Sequence, residues 1–88
     1  MISVYIPTPL RPFTDEQAEI RLEGESVGAV VENFKARFPA AAERFFSPRT
    51  ARYFNLYLND EDVRVLKGMD TPVREGDELA IVFAVGGG

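Results

Sequence analysis

Neither cysteine nor histidine occurs among the 88 residues of this chain. Without cysteine there is no disulfide, no thiolate nucleophile, no zinc ribbon and no cysteine-ligated iron–sulfur cluster. Without histidine, Ser/His and Cys/His nucleophilic sites and most transition-metal sites are closed off as well. Carboxylates, hydroxyls, Lys and Arg remain, so the chain is expected to be no autonomous enzyme and to bind no cofactor or metal of its own. An excess of positive charge is also missing: ten Lys and Arg stand against fourteen Asp and Glu, a net charge of −4. No basic field exists to draw in phosphate backbones, which argues against nucleic acid and favours a partner with a basic groove. Long apolar runs are absent too. None approaches the roughly 20 residues of a spanning helix, and Met1 to Ile6 is too short for the apolar stretch of a secretion signal. A soluble, cytoplasmic protein without membrane contact is expected.

A chain of this length buries only a little over roughly 60% of its unfolded surface, which leaves room for one core and one domain. Hydrophobic residues make up 45% of it, with seven Phe and three Tyr, enough to close that core without crosslinks. A monomer is expected when the protein is free.

Ile2, Val4 and Ile6 alternate with Ser3 and Tyr5, a period of two that predicts a strand with one buried face, ended by Pro7. Pro9 and Pro12 bias Thr8 to Thr14 toward extended loop. Gln17 to Leu22 alternates again through Ala18, Ile20 and Leu22, the returning arm of a hairpin. After Glu23, Gly24 and Glu25 the period changes. Ser26 is placed to cap a helix in which Val27, Val30, Val31, Phe34 and Phe38 share one face. Pro39 stops it, and Ala40 to Phe46 suits a second short turn of helix, closed by Ser47 and Pro48. From Arg52 a further strand is predicted, with Phe54, Leu56 and Leu58 on one face and Tyr53, Asn55 and Tyr57 on the other. Asn59 and Asp60 turn it. A short strand around Val63 and Val65, a loop over Gly68 to Thr71 and an apolar final strand over Leu79 to Val85 complete the order.

A hairpin, a helix and then more strands is the pattern of an α+β fold, a mixed sheet with one main helix packed on one face. The β-grasp, or ubiquitin-like, roll matches it, with the apolar last strand central and paired with the first. Residues 1–85 then form the domain and 86–88 a flexible tail.

That tail, Gly86, Gly87 and Gly88, is the feature that bears chemistry. Three residues without side chains project a narrow backbone that threads a tight channel and presents its carbonyl uncovered. An α-carboxylate with an ordinary pKa of about 3.3 to 3.7 is ionised at neutral pH and is a poor electrophile, so it needs activation from outside. Adenylation by an ATP-using partner converts it to a mixed anhydride, and a sulfur donor attacking that carbonyl leaves a thiocarboxylate. A frayed terminus or an expression remnant is the bland alternative. Against it, the last strand runs straight into glycine with no Ser or charged spacer.

The strand order and the terminal segment GDELAIVFAVGGG resemble the MoaD/ThiS family of ubiquitin-like sulfur carriers along the whole chain. Within it, IPTPLRPFT at Ile6 to Thr14 and YLNDEDVR at Tyr57 to Arg64 are most similar to the CysO-type branch, which serves a cysteine pathway in actinobacteria. The resemblance implies that an E1-like enzyme, using ATP and Mg²⁺, adenylates and thiocarboxylates Gly88 while Gly86 and Gly87 enter its active site. A downstream synthase then accepts the sulfur, for cysteine, a cofactor or a secondary metabolite. The chain has Gly86 where CysO-type tails commonly carry Ala, which lengthens the glycine tip. It has Phe83 and Ala84 where molybdopterin carriers usually place prolines, which argues against a molybdopterin role.

Two other readings stay open on the same residues. The chain could be a modifier joined to lysines through Gly88, or a β-grasp interaction module whose tail is inert. Arg11, between Pro9 and Pro12, and Phe83 are candidate partner contacts. Asp60, Glu61 and Asp62 are too few oxygens for Ca²⁺ and read as a solvated turn or as docking charges for a basic surface. Phe45, Phe46, Tyr53 and Phe54 cluster around Pro48 and divide between core packing and an exposed patch. Gly76 before Asp77 answers a turn, since no phosphate-loop pattern is present.

Overall fold

The computed structural model describes residues 1–47 and 53–83, with Phe45 described by its backbone alone. Pro48 to Arg52 and Ala84 to Gly88 lie outside the described residues.

Strand β1 (Ile2–Tyr5) buries Ile2 and Val4 and turns Tyr5 outward, as its alternation requires. It pairs antiparallel with β2 (Glu19–Leu22), in a register running from Ile2 opposite Leu22 to Tyr5 opposite Glu19. The connection departs from the expected extended loop: Thr8–Phe13 is a 3₁₀ helix with Pro12 inside it. Each proline holds φ near −65°, which is the 3₁₀ value as well as the extended one. Coiling also buries Leu10, which is 2% exposed. Asp15 and Glu16 then take φ of 54° and 61°, and the Glu16 N–H donates back to the Arg11 carbonyl at 2.7 Å, aiming the chain into β2.

Helix α1 (Val27–Arg37) starts at Ser26, whose hydroxyl accepts from the Ala29 N–H at 3.1 Å. Its buried residues are Val27, Val30, Val31 and Phe34, with Phe38 buried at its end. Pro39 ends α1 and opens α2 (Pro39–Phe45) at the first helical position, where its missing N–H costs nothing.

Strand β3 (Phe54–Leu58) buries Leu56 and Leu58. The expected strand around Val63 and Val65 is instead a 3₁₀ turn, Val63–Val65, and the pairing residues lie just before it as β4 (Glu61–Asp62). Asn59 and Asp60 both take positive φ, 49° and 72°, which makes a two-residue hairpin turn and sets Leu58 opposite Glu61. The pairing stops at Asp62, whose carboxylate accepts from the Arg64 N–H at 2.9 Å and starts the turn. Gly68–Asp70, expected as loop, forms a further 3₁₀ turn.

Strand β5 (Glu78–Phe83) lies in the middle of the five-stranded sheet, whose order is β2-β1-β5-β3-β4. It runs parallel to β1 and antiparallel to β3. Leu79 and Ile81 are buried beside Val4, Leu56 and Leu58, under the apolar face of α1. The predicted mixed sheet with one main helix on one face is what forms.

Candidate functional site

Because β1 is parallel to β5, the residues that follow β1 gather at the end of the sheet from which β5 exits. Because β3 is antiparallel to β5, the start of β3 lies at that same end. Phe83, the last residue of β5, is therefore opposite Phe54, the first of β3, with ring centroids 4.9 Å apart. The 3₁₀ helix after β1 brings Pro9, Leu10 and Phe13 against these rings, and Tyr53 and Arg44 close the rim. The Arg44 guanidinium carbon sits 4.9 Å from the centre of the Phe13 ring. Together these groups bound an open cavity of about 260 Å³ beside the end of β5. Pro9, Leu10, Phe13 and Arg44 carry no periodic signal as a site; the burial of Leu10, which shows this loop to be packed, is visible only in the structure.

Arg11 belongs to the same 3₁₀ helix and donates from Nε to the Ile6 carbonyl at 3.2 Å. Arg11 and Phe83 are thus brought to the tail end of the domain. Gly86, Gly87 and Gly88 lie outside the described residues, so the site is defined here by the strand that leads to them.

The acidic trio is at the other end. Asn59 donates its N–H to the Glu78 carbonyl at 2.8 Å and accepts the Glu78 N–H on Oδ1 at 3.0 Å, which ties the β3–β4 turn to the start of β5. Five strand steps separate Glu78 from Phe83, roughly 17 Å. Asp60 and Glu61 are exposed. Asp62 grips the Arg64 guanidinium through both oxygens, Oδ2 accepting from Nη2 at 2.6 Å and Oδ1 from Nε at 3.1 Å. Those bonds, with the Arg64 N–H, hold the Asp62 carboxyl below its ordinary range. Among the described residues, no group of three or more acidic side chains is placed to hold a metal ion.

The aromatic cluster divides between two places. Phe46 packs edge-on against Phe34 at 6.2 Å, under the Lys35 ammonium at 5.5 Å, whereas Phe54 and the 38% exposed Tyr53 flank the tail-end cavity. The side chain of Phe45 and all of Pro48 lie outside the described residues. On the sheet face away from α1, Tyr5 and Val82 are exposed. The Tyr5 phenol is pushed above its ordinary pKa by partial desolvation against the sheet and by the charges of Glu19 and Glu78. No helix among the described residues is long and apolar enough to cross a membrane.

Comparison with known proteins places this geometry. Residues 4–88 match the model of the ThiS family. The chain is 38% identical over 91 residues to the sulfur carrier protein CysO of Mycobacterium tuberculosis, covering 99% of this chain and 98% of that one. Its structure superimposes on a chain in the crystal structure of the Amycolatopsis orientalis BexX/CysO complex with a TM-score of 0.88, at 34% identity and full coverage of both chains. The solution structure of the small archaeal modifier protein 1 from Methanosarcina acetivorans gives 0.83 at 25% identity, covering 99% of this chain and 95% of that one.

Proposed function

The chain belongs to the ThiS family, and from that premise we propose that it is a sulfur carrier whose Gly88 carboxylate is converted to a thiocarboxylate for a biosynthetic pathway. The observation that carries this reading is the run of the family match through Gly88, behind a strand that is central in the sheet and exits beside an aromatic-lined rim. CysO, to which the chain is similar along 99% of its length, is a sulfur carrier protein by name.

The chemistry is shared between proteins. The Gly88 carboxylate attacks the α-phosphorus of ATP, with Mg²⁺ held by an E1-like partner, and pyrophosphate leaves. Hydrosulfide or an equivalent sulfur nucleophile then attacks the acyl carbon and displaces AMP, leaving the thiocarboxylate. A downstream synthase takes the sulfur. The carrier is thus a cosubstrate and not an enzyme: its residues fold the domain, launch the tail and present the surface that the partners recognise. Gly86 and Gly87 suit a narrow active-site channel because neither carries a Cβ. We place the free carrier in the cytoplasm as a monomer, where ATP and the activating partner are available.

Likeness to the small archaeal modifier protein keeps one second reading, a modifier joined to lysine amines through the same activated Gly88. Incubation of the purified chain with ATP, Mg²⁺, an E1-like enzyme and sulfide decides between them by intact mass. A carrier gains one sulfur in exchange for one oxygen; a modifier gives higher-mass conjugates when lysine-bearing proteins are present. A chain that stays at its starting mass in both assays overturns both readings.

A further inference from the structure

Strand β2 is one edge of the sheet, and its pairing with β1 fixes which of its backbone groups point inward. The Ile6 N–H donates to the Ala18 carbonyl at 2.8 Å, and bonded and non-bonded positions alternate along an antiparallel ladder. Ile20 and Leu22, opposite Val4 and Ile2, therefore bond to β1. The backbone groups of Gln17, Glu19, Arg21 and Glu23 face outward. Both ends of that outward row are closed. Gln17 donates its N–H to the Thr14 carbonyl at 2.9 Å and accepts the Thr14 hydroxyl at 3.1 Å. The Glu23 carbonyl accepts from the Asn33 side-chain amide at 2.6 Å. Between them stand Glu19 and Arg21, whose N–H and carbonyl groups meet no partner among the described residues. Their side chains are exposed on the sheet face away from α1 and carry opposite charges.

We propose that this edge pairs with the same edge of a second copy, antiparallel about a two-fold axis that passes between the two Ile20 residues. Glu19 of each copy then lies opposite Arg21 of the other. Each such pair exchanges two backbone hydrogen bonds, so the open donors and acceptors of both copies are all used. The neighbouring registers fail on two counts. Setting Glu19 opposite itself requires Gln17 to bond Arg21 of the second copy, and setting Arg21 opposite itself requires Glu23 to bond Glu19. Thr14 and Asn33 already hold those groups, and in both registers like charges face each other. Charges on a strand edge ordinarily deter pairing. Here they alternate in sign two residues apart, which deters the wrong registers and favours one. The seam from Glu19 to Arg21 is shorter than a standard interface, which buries roughly 1,200 Å² or more, so the pair forms at high concentration and the dilute chain is a monomer. β5 lies two strands in from the seam and runs in opposite directions in the two copies, so its Phe83 end stays open in both. The pairing does not depend on the chemistry at Gly88.

Sedimentation velocity on the full chain, from about 10 μM to about 1 mM, tests this in the range where small interfaces associate. Wild type is expected to move from the mass of one chain toward that of two, with the amide NMR signals of Glu19 and Arg21 shifting over the same range. Glu19→Arg sets arginine opposite Arg21 twice over, and Arg21→Glu sets glutamate opposite Glu19. Each variant alone is expected to associate at least about tenfold more weakly. Mixed in equal amounts, the two variants again face each other with opposite charges and are expected to associate as wild type does. Thermal melts matching wild type show that both keep the fold. A wild-type chain that stays monomeric throughout overturns the proposal. Single variants that associate as wild type does overturn it by placing the contact on another surface, and a folded mixture that stays monomeric overturns it by ruling out the register.

Discussion

At Asp62 the charge state and the local fold are tied together. Its ionised carboxylate accepts from the Arg64 guanidinium and from the Arg64 N–H, so folding favours the charged form and the folded pKa is lowered. The sign follows from linkage. This contribution is fully present above the unfolded carboxyl pKa and is lost as pH falls through the lower, folded one. Arg64→Ala is expected to raise the Asp62 titration toward the ordinary carboxylate range, read by ¹³C NMR of the side-chain carboxyl; a midpoint that does not move shows that the pair is not formed in solution. The three acids of this turn look alike in sequence, yet Asp60 sits at positive φ, Glu61 points to solvent and Asp62 is engaged. What separates them is which two residues make the turn, and that depends on β3 meeting β5, a contact between residues far apart in the chain.

Among the elements, the join between β2 and α1 is the least tolerant of change. A Cβ on Gly24 would stand 2.7 Å from the Val30 Cγ2 and 2.8 Å from the Val30 backbone nitrogen. The neighbouring Glu23 carbonyl is held by the Asn33 side chain at 2.6 Å, and the Val27 N–H by the Thr71 carbonyl at 2.9 Å. Nothing there yields cheaply. Gly24→Ala is therefore expected to cost about 1 to 3 kcal/mol, the range for overpacking, seen as a lower urea midpoint with an unchanged slope. The elements legible in the sequence were those with a clean period: β1, β2, α1, β3 and the capping Ser26. The 3₁₀ segments were not, because proline and glycine give the same signal for an open loop and for a tight coil. Only the burial of Leu10, a tertiary event, separates the two around Pro9 and Pro12. For the same reason the tail-end cavity was visible in sequence only through Phe83, Phe54 and Tyr53, while Arg44 and Phe13 arrive there from other elements.

Across the whole molecule, the sheet is organised about β5. Leu79 is 1% exposed, opposite Val4 on one side and Leu58 on the other. Leu79→Ala is expected to cost about 2 to 5 kcal/mol in a domain whose total stability is roughly 4 to 13 kcal/mol. The melt should stay a single transition at a much lower temperature, with far- and near-ultraviolet dichroism changing together; separate transitions would show that the two halves of the sheet are held independently. The central place of the last strand was legible because Leu79, Ile81 and their neighbours leave few polar positions, as a strand paired on both edges requires. That arrangement also bears on how the protein is made. β1 and β3 have no shared neighbour until Glu78 to Phe83 have been synthesised, so ribosome-bound chains that stop short of β5 expose two unpaired strand edges of the kind that invite aggregation and proteolysis. The strand that leads to Gly86, Gly87 and Gly88 is the same one that completes the sheet, so the folded state itself reports that translation has passed Phe83.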